Sequence, residues 1–514
     1  MTVAATETTV AGGAATAPLT PEWWVNRLYA RLELQKAEAI FFDNYYTGEH
    51  PLPFLPPQAQ AEFRRILGMS RTNYMGLVVD STAERVRIEG FRFGKDSESD
   101  EDTWRIWQHN NLDALSNIAW LESLIAGTSY FMVAPNPKDS SLPKIWVESA
   151  QQCIVEYEPG TNRRERRAGL KVWQDDWTQR MNATLYLMVP KGNELDPNVE
   201  KELRIFKYDA PIPRGGGGGE GAKPQWVQRN IPGETWGDVG GMDAIPLVEI
   251  PNNPRLLTGG RSELWDLTDI QDRINKTVAD RLITQDYGAF PQKWISAWPE
   301  TDAEGNPAAP IDIGRDRAVT TDVAEARFGQ WDAAPLDPYS LAKKEDVKDI
   351  AARSKTPAQY LLGDMSNVNG ETLKASESGH ISKVRLRMRS WGESAEEAVR
   401  LARTLAGLGS EEEEQMEVIF SNPEFRTEGE LADAIVKMVQ SRVSSIRQAR
   451  VDWGYTEAQI RQLEQDDQKE ALDPMLANAL RPVVGTAAAA AGNVGVAGGV
   501  GSRDQDSDGV AGER

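Results

Sequence analysis

Over the first 130 positions apolar residues return every three or four places, the period of helices with one buried face. Thr20 can cap a helix and Pro21 fits its first turn. Trp24, Leu28 and Leu32 follow at i+4 spacing, and Gly48 to Pro51 stop the helix after Phe42. A second helix is expected from about Arg71 to Glu84, with Met75, Val78, Val79, Thr82 and Val86 on one face. A third runs from about Asp102 to Ala126 and is rich in Trp and Leu. The period then changes to short β-branched and aromatic runs: SYFMVAP, KIWVES, QCIVEYEP, AGLKVWQDD, ATLYLMVP and ELRIFKYDA, separated by turn signals such as Pro159-Gly160-Thr161-Asn162. Strands following helices make an α+β unit.

Helical periodicity returns at Ser262 to Tyr287, where Leu267, Ile270, Ile274, Val278 and Leu282 recur. Twenty-six residues would make a rod of about 39 Å. PQKWISAW resumes as a strand, and a Pro-, Gly- and Asp-rich stretch leads to a shorter helix from about Tyr339 to Ser354. The most regular segment follows a non-periodic stretch at 356–370. Val384, Met388, Trp391, Ala395, Ala398, Ala402 and Leu405 form a heptad seam, with Gly392 as a candidate kink. Such a seam needs a partner, either within the chain or in a neighbouring subunit. Phe425 to Ala471 reads as two or three more helices. The first 19 residues and everything beyond about Arg481 read as plain arms; Val483–Ser502 is long enough to span a bilayer, but its Ala and Gly gain little from lipid.

Charge and rare residues narrow the chemistry. The 514 residues carry 57 Lys+Arg against 78 Asp+Glu, a net charge of −21. That balance opposes tight binding along a phosphate backbone, though it does not exclude a protein that lets DNA pass without sticking. One cysteine, Cys153, excludes an internal disulfide and a cysteine zinc cage, and in its strand pattern reads as a core thiol. Three scattered histidines make no HExxH; His109 and His380 read as surface or capping residues. Most tryptophans, such as Trp104, Trp107 and Trp120, fall at core spacing.

Three motif-like segments fail on inspection. Gly216 to Gly221 supply the glycines of a phosphate loop, but Ala222 occupies the lysine position and Pro224 follows Lys223. Asp504, Asp506, Asp508 and Gly509 match half a calcium loop, whose twelfth position would lie beyond Arg514. SIRQARVDWGYTEAQI imitates a helix-turn-helix, but residues 411–470 hold roughly twice as many acidic as basic positions, whereas a groove-reading helix needs a basic face. No catalytic constellation, metal set or cofactor motif stands out. A hydrolase with unrecognised carboxylates is the alternative from the enzyme class.

The order of the pieces resembles the portal proteins of tailed bacteriophages, in particular the type found in phages of Gram-positive hosts. The segments that carry the resemblance are NYYTGEHPL (44–52), GTSYFMV (127–133), DRLITQDYGAFPQKWISAW (280–298), TPAQYLLGDMSNVNGETLKASE (356–377) and ADAIVKMVQ (432–440). The pattern spans about residues 20–470. It implies a portal-like α+β fold: a mixed wing over 20–255, stem helices at 256–290 and 338–355, and a β-containing clip at 291–337. A tunnel loop at 356–370, a long kinked spine helix at 371–410 and a helical crown at 411–480 complete it.

The resemblance further implies a non-enzymatic ring, usually of twelve subunits, at one capsid vertex of the virion. Such a ring nucleates assembly in the host cytoplasm, passes double-stranded DNA, and docks the large terminase subunit and then a head–tail adaptor. Major capsid and scaffold proteins are its other expected partners; no membrane and no cofactor are expected. Asp364, Met365, Ser366, Asn367, Val368 and Asn369 are the candidate DNA-facing tunnel loop. Lys343, Lys344 and Lys348 are candidate channel cations or a solvated helix face, and the heptad seam is a candidate oligomer contact. Another phage head protein, a scaffold or minor capsid component, is the alternative within the virion.

Overall fold

The computed structural model describes residues 18–94, 99–161, 165–191, 200–212, 224–229, 242, 244–289, 293–296, 327–363, 370–409, 415–424, 428–455 and 457–472. The terminal arms, the five-glycine loop, residues 411–414 and the 364–369 segment lie outside these. The chain divides into two compact units, Met1–Thr427 and Glu428–Arg514.

In the first unit, α1 (Pro21–Thr47) is 27 residues long, about 40 Å. The Thr20 hydroxyl accepts from the Trp23 amide at 3.3 Å, and Gly48 ends the helix at φ +84°. Helices α2 (Pro57–Glu62), α3 (Arg64–Met69) and α4 (Met75–Ala83) follow, then strand β1 (Ile88–Phe93). The single helix expected over 102–126 is two, α5 (Glu101–His109) and α6 (Leu112–Ala126). Asn111 breaks it in a left-handed conformation, φ +54°, which asparagine tolerates better than most residues.

The strands are β2 (Thr128–Ala134), β3 (Lys144–Ser149), β4 (Cys153–Tyr157), β5 (Arg166–Asp175), β6 (Arg180–Pro190), β7 (Lys201–Pro211), β8 (Val227–Gln228) and β9 (Leu247–Pro251). Every run predicted from the sequence is a strand. They divide into two antiparallel sheets, β3-β2-β9 and β4-β5-β6-β7-β8. Strand β2 is buried at all seven positions because α6 and a later long helix pack against it. Trp24, Val25, Leu28 and Leu32 of α1 form a second core with Leu170, Leu185 and Leu187 of the five-stranded sheet.

A tight loop links β9 to the next helix. The Asn252 amide donates to the Gly127 carbonyl at 2.9 Å. A Cβ on Gly260 would lie 2.0 Å from that same oxygen, so only glycine fits. Helix α7 (Thr268–Ala289) starts six residues later than the expected rod, because Glu263 to Leu267 form turns that already bury Leu264 and Leu267. Hairpin β10 (Lys293–Ser296) and β11 (Arg327–Gln330) follows, then α8 (Asp337–Ser354) and α9 (Ala358–Leu362).

Helix α10 (Gly370–Ala406) has 37 residues, about 55 Å. Strand β12 (Met416–Phe420) then pairs antiparallel with β1, joining segments more than 300 residues apart. A Cβ on Gly392 would meet the Phe420 ring at 3.2 Å, which gives this glycine a packing reason.

The second unit holds α11 (Glu428–Gln440), α12 (Ile446–Trp453) and α13 (Glu457–Leu472). The Ser445 hydroxyl caps α12, Gly454 ends it, and Arg447 and Arg450 clamp Glu464 and Asp467 of α13. Both arginines of the helix-turn-helix imitation therefore hold a neighbouring helix.

Candidate functional site

The sequence makes α7 and α8 long and half-apolar, and the fold lays them side by side. Ile270, Ile274 and Val278 of α7 and Val347 and Ile350 of α8 are buried. Arg353 pairs with Asp266 at 3.2 Å, Arg273 with Asp346 and Asp349 at 2.7 and 2.8 Å, and the Thr284 hydroxyl donates to Tyr339 at 3.3 Å. Rising numbers on one helix meet falling numbers on the other, so the pair is antiparallel and opens into the β10–β11 hairpin.

Two buried polar clusters anchor α7. At its root, Glu263 pairs with Lys383 at 3.2 Å and Arg387 at 2.9 Å, both from α10. Lys383 also donates to the Ser354 carbonyl at the end of α8 (2.9 Å), where the helix dipole favours a cation. Burial alone would raise the Glu263 carboxyl, but the two cations outweigh it and hold it at about 2. One carboxylate therefore ties the approach to α7, the end of α8 and the middle of α10 into one joint.

One to two turns along α7, Gln271 and Asn275 are fully buried. The Gln271 side chain donates to the Thr72 carbonyl at 2.5 Å, and Asn275 Oδ1 accepts from the Thr72 amide at 3.0 Å. Asn275 Nδ2 lies 3.0 Å from His50 Nδ1, whose Nε2 lies 3.0 Å from the Tyr45 carbonyl. Burial lowers the His50 pKa, so the ring is neutral, taking the Asn275 amide proton at Nδ1 and donating from Nε2.

The predicted residues fare unevenly. Asp364, Met365, Ser366, Asn367, Val368 and Asn369 lie outside the described residues. Of the cations on α8, Lys348 pairs with Glu345 at 2.8 Å, Lys343 lies over the Tyr74 ring at 5.6 Å, and Lys344 is exposed.

The heptad seam requires correction as an oligomer contact. Val384, Met388, Trp391, Ala395, Ala398 and Ala402 are buried in the chain's own core, and Leu405 packs against it. Trp391 stacks on Trp120 at 5.1 Å with the rings 5° apart, and its indole donates to the Pro251 carbonyl at 3.2 Å. Ala395, Ala398 and Ala402 let the strands approach α10. A heptad stripe states that a face must be covered, not what covers it. His380 is corrected likewise: it is buried, with Nε2 3.0 Å from the Ser81 carbonyl. Cys153 is a buried core thiol and His109 is exposed.

The sequence reading missed the Glu263 joint and the His50 network. A faint signal for the first was present: Lys383 and Arg387 sit at i,i+4 beside the seam positions Val384 and Met388. Among the described residues no three His, Cys, Asp or Glu side chains stand close enough to hold a metal, and no helix is long and apolar enough to cross a membrane.

A two-core α+β body, a long helix with one buried face and an antiparallel helix pair ending in a hairpin thus stand without a metal cluster among the described residues. The family profile described as phage portal protein, SPP1 Gp6-like, matches residues 26–186 and 226–471. The chain belongs to this family of phage portal proteins, which are structural components of the virion. The portal protein of Mycobacterium phage D29 is 28% identical over 444 residues, 83% of this chain and 84% of the relative. That of Mycobacterium phage L5 is 27% identical over 445 residues, with the same two coverages. Two solved chains are also similar. One comes from the neck of a native GTA particle computed with C12 symmetry (13% identity, TM-score 0.40) and one from the neck of an empty GTA particle computed with C6 symmetry (12%, 0.42). Each comparison covers 78% of this chain and 95% of the other.

Proposed function

We propose that this portal protein assembles into a ring, of twelve copies as the resemblance implies, and that the ring is the conduit for double-stranded DNA at one capsid vertex. In this reading α7 and α8 are the stem, the β10–β11 region is the clip that receives the large terminase subunit and later the head–tail adaptor, and α10 is the spine. Residues 20–255 are the wing, resting against the major capsid and scaffold proteins, and α11–α13 belong to the crown. Assembly takes place in the host cytoplasm, and the role is structural rather than enzymatic.

The observation that carries this reading is the family match over both α7–α8 and α10, together with the Glu263 joint that binds those three elements. The net charge of −21 per chain supports it: a ring multiplies that charge, repels phosphate, and lets a duplex move without long dwell times. Lys344, exposed on α8, remains a candidate for brief phosphate contact.

Negative-stain imaging of the purified chain tests the ring; a monomer under all conditions, or a hole too narrow for a duplex, would refute it. Deleting 364–369 tests the tunnel loop. Rings should form normally while packaged DNA is lost or never retained, and normal packaging would remove the assignment.

A further inference from the structure

Helix α9 is only five residues long, and a helix so short is marginal in water without tertiary partners. Its Leu361 is buried, and Gly363 ends it in the left-handed region at φ +64°. The next helix, α10, begins at Gly370. Two pairs of side chains join the helices on either side of the 364–369 segment. The Gln359 amide donates to the Ser376 hydroxyl at 3.1 Å, and the Tyr360 hydroxyl donates to the Glu377 carboxylate at 2.5 Å. Tyr360 lies just before Gly363 in sequence, and Glu377 about 10 Å along α10 from Gly370.

Arg85, in the turn between α4 and β1, ties the second pair to the body of the protein. Its guanidinium donates to the Tyr360 hydroxyl at 2.5 Å and to the Pro423 carbonyl at 2.9 Å, and lies 3.8 Å from the Glu377 carboxylate. Glu377 is 8% exposed, so water competes little with these contacts. Burial first, and then the Glu377 bond, push the Tyr360 phenol up to about 12, so it keeps the proton it donates. Tyr360 thus accepts from a cation and donates to an anion at once.

We propose that Arg85, Tyr360 and Glu377 form a clasp that fixes the two ends of the 363–370 segment relative to each other, and that they are positioning residues for its contact with DNA. The proposal rests on the tunnel-loop reading above. A segment with free ends would sample many end-to-end separations, and a load on it would be absorbed at its roots. With both ends tied to Arg85, the load is passed to α4, β1 and the core beneath them.

The test uses Tyr360→Phe in the full chain, which keeps the aromatic side chain and removes both hydrogen bonds, with Glu377→Gln as a second variant. Purified assemblies are cut with thermolysin, which cleaves before large apolar side chains such as Met365 and Val368, and packaged DNA is measured in particles built with each variant. Assembly should be normal. Cutting between 363 and 370 should rise about tenfold or more, while the rest of the chain is cut at the wild-type rate, and packaged DNA should fall. Unchanged cutting in both variants would overturn the clasp. So would lost assembly or faster cutting throughout the chain, which would make the cluster a support of the core. Raised cutting with normal DNA retention would overturn the positioning role if the 364–369 deletion loses its DNA. A deletion that packages normally would remove the tunnel-loop reading and the DNA role with it, whereas the cutting rates would still decide the clasp.

Discussion

Replacing Glu263 by Gln probes the joint that ties α7, α8 and α10 together. The substitution keeps the shape and leaves Lys383 and Arg387 buried against a neutral amide. At about 3 Å and an effective dielectric near 20, each cation attracts the carboxylate by about 5 kcal/mol. Burial opposes this, and the net result is a carboxyl held at about 2 instead of its ordinary 4.5. That displacement corresponds to about 3 kcal/mol. Removing one member of a buried ion pair typically costs about 3–5 kcal/mol, in the same range. The folded pKa lies below the unfolded one, so the contribution is complete above about pH 4.5 and declines as pH falls toward 2.

Denaturant unfolding followed by tryptophan fluorescence reads this, because Trp391 lies on the same helix as Lys383 and Arg387. Glu263→Gln should lie about 3 kcal/mol below wild type at pH 7, with roughly half of the gap gone by pH 3. The Glu263→Gln, Lys383→Met double variant should be less damaged than the sum of the singles. A Glu263→Gln protein within about 0.5 kcal/mol of wild type at pH 7, or a gap unchanged at pH 3, would refute the reasoning.

Trp391→Ala should cost about 3–5 kcal/mol by opening a cavity against Trp120, measured by the same unfolding curves; rings that form with unchanged stability would contradict the seam's place in the core. His50 is held neutral by burial, so folding stability should decline as pH drops through about 6.5, the ordinary histidine value. His50→Gln should flatten that part of the wild-type stability profile between pH 7.5 and 5, and identical slopes would dismiss the network as a pH-sensitive element.

Much of this protein is written in local pattern. Thr20-Pro21 and Gly48 bound α1, alternation and turn residues mark β2 to β7, recurring apolar positions mark α7, and a heptad seam marks α10. These follow from contacts within a few residues, which a sequence displays directly. The failures are also local in origin. Asn111 breaks a helix whose apolar period continues through it, and turns at Glu263 to Leu267 bury residues that keep helical spacing.

What only the tertiary structure decided is what each buried face meets. The heptad seam of α10 demanded cover from Val384 to Leu405, and the pattern is the same whether a neighbouring subunit or the chain's own β2 and β9 supply it. The pairing of β1 with β12, the meeting of Glu263 with Lys383 and Arg387, and that of His50 with Asn275 join residues far apart in sequence. A charged or polar residue reads as solvated until its partner is in place. Low-dielectric burial then turns an ordinary Glu into the anchor of three helices, and that depends on distance in space, which linear spacing does not encode.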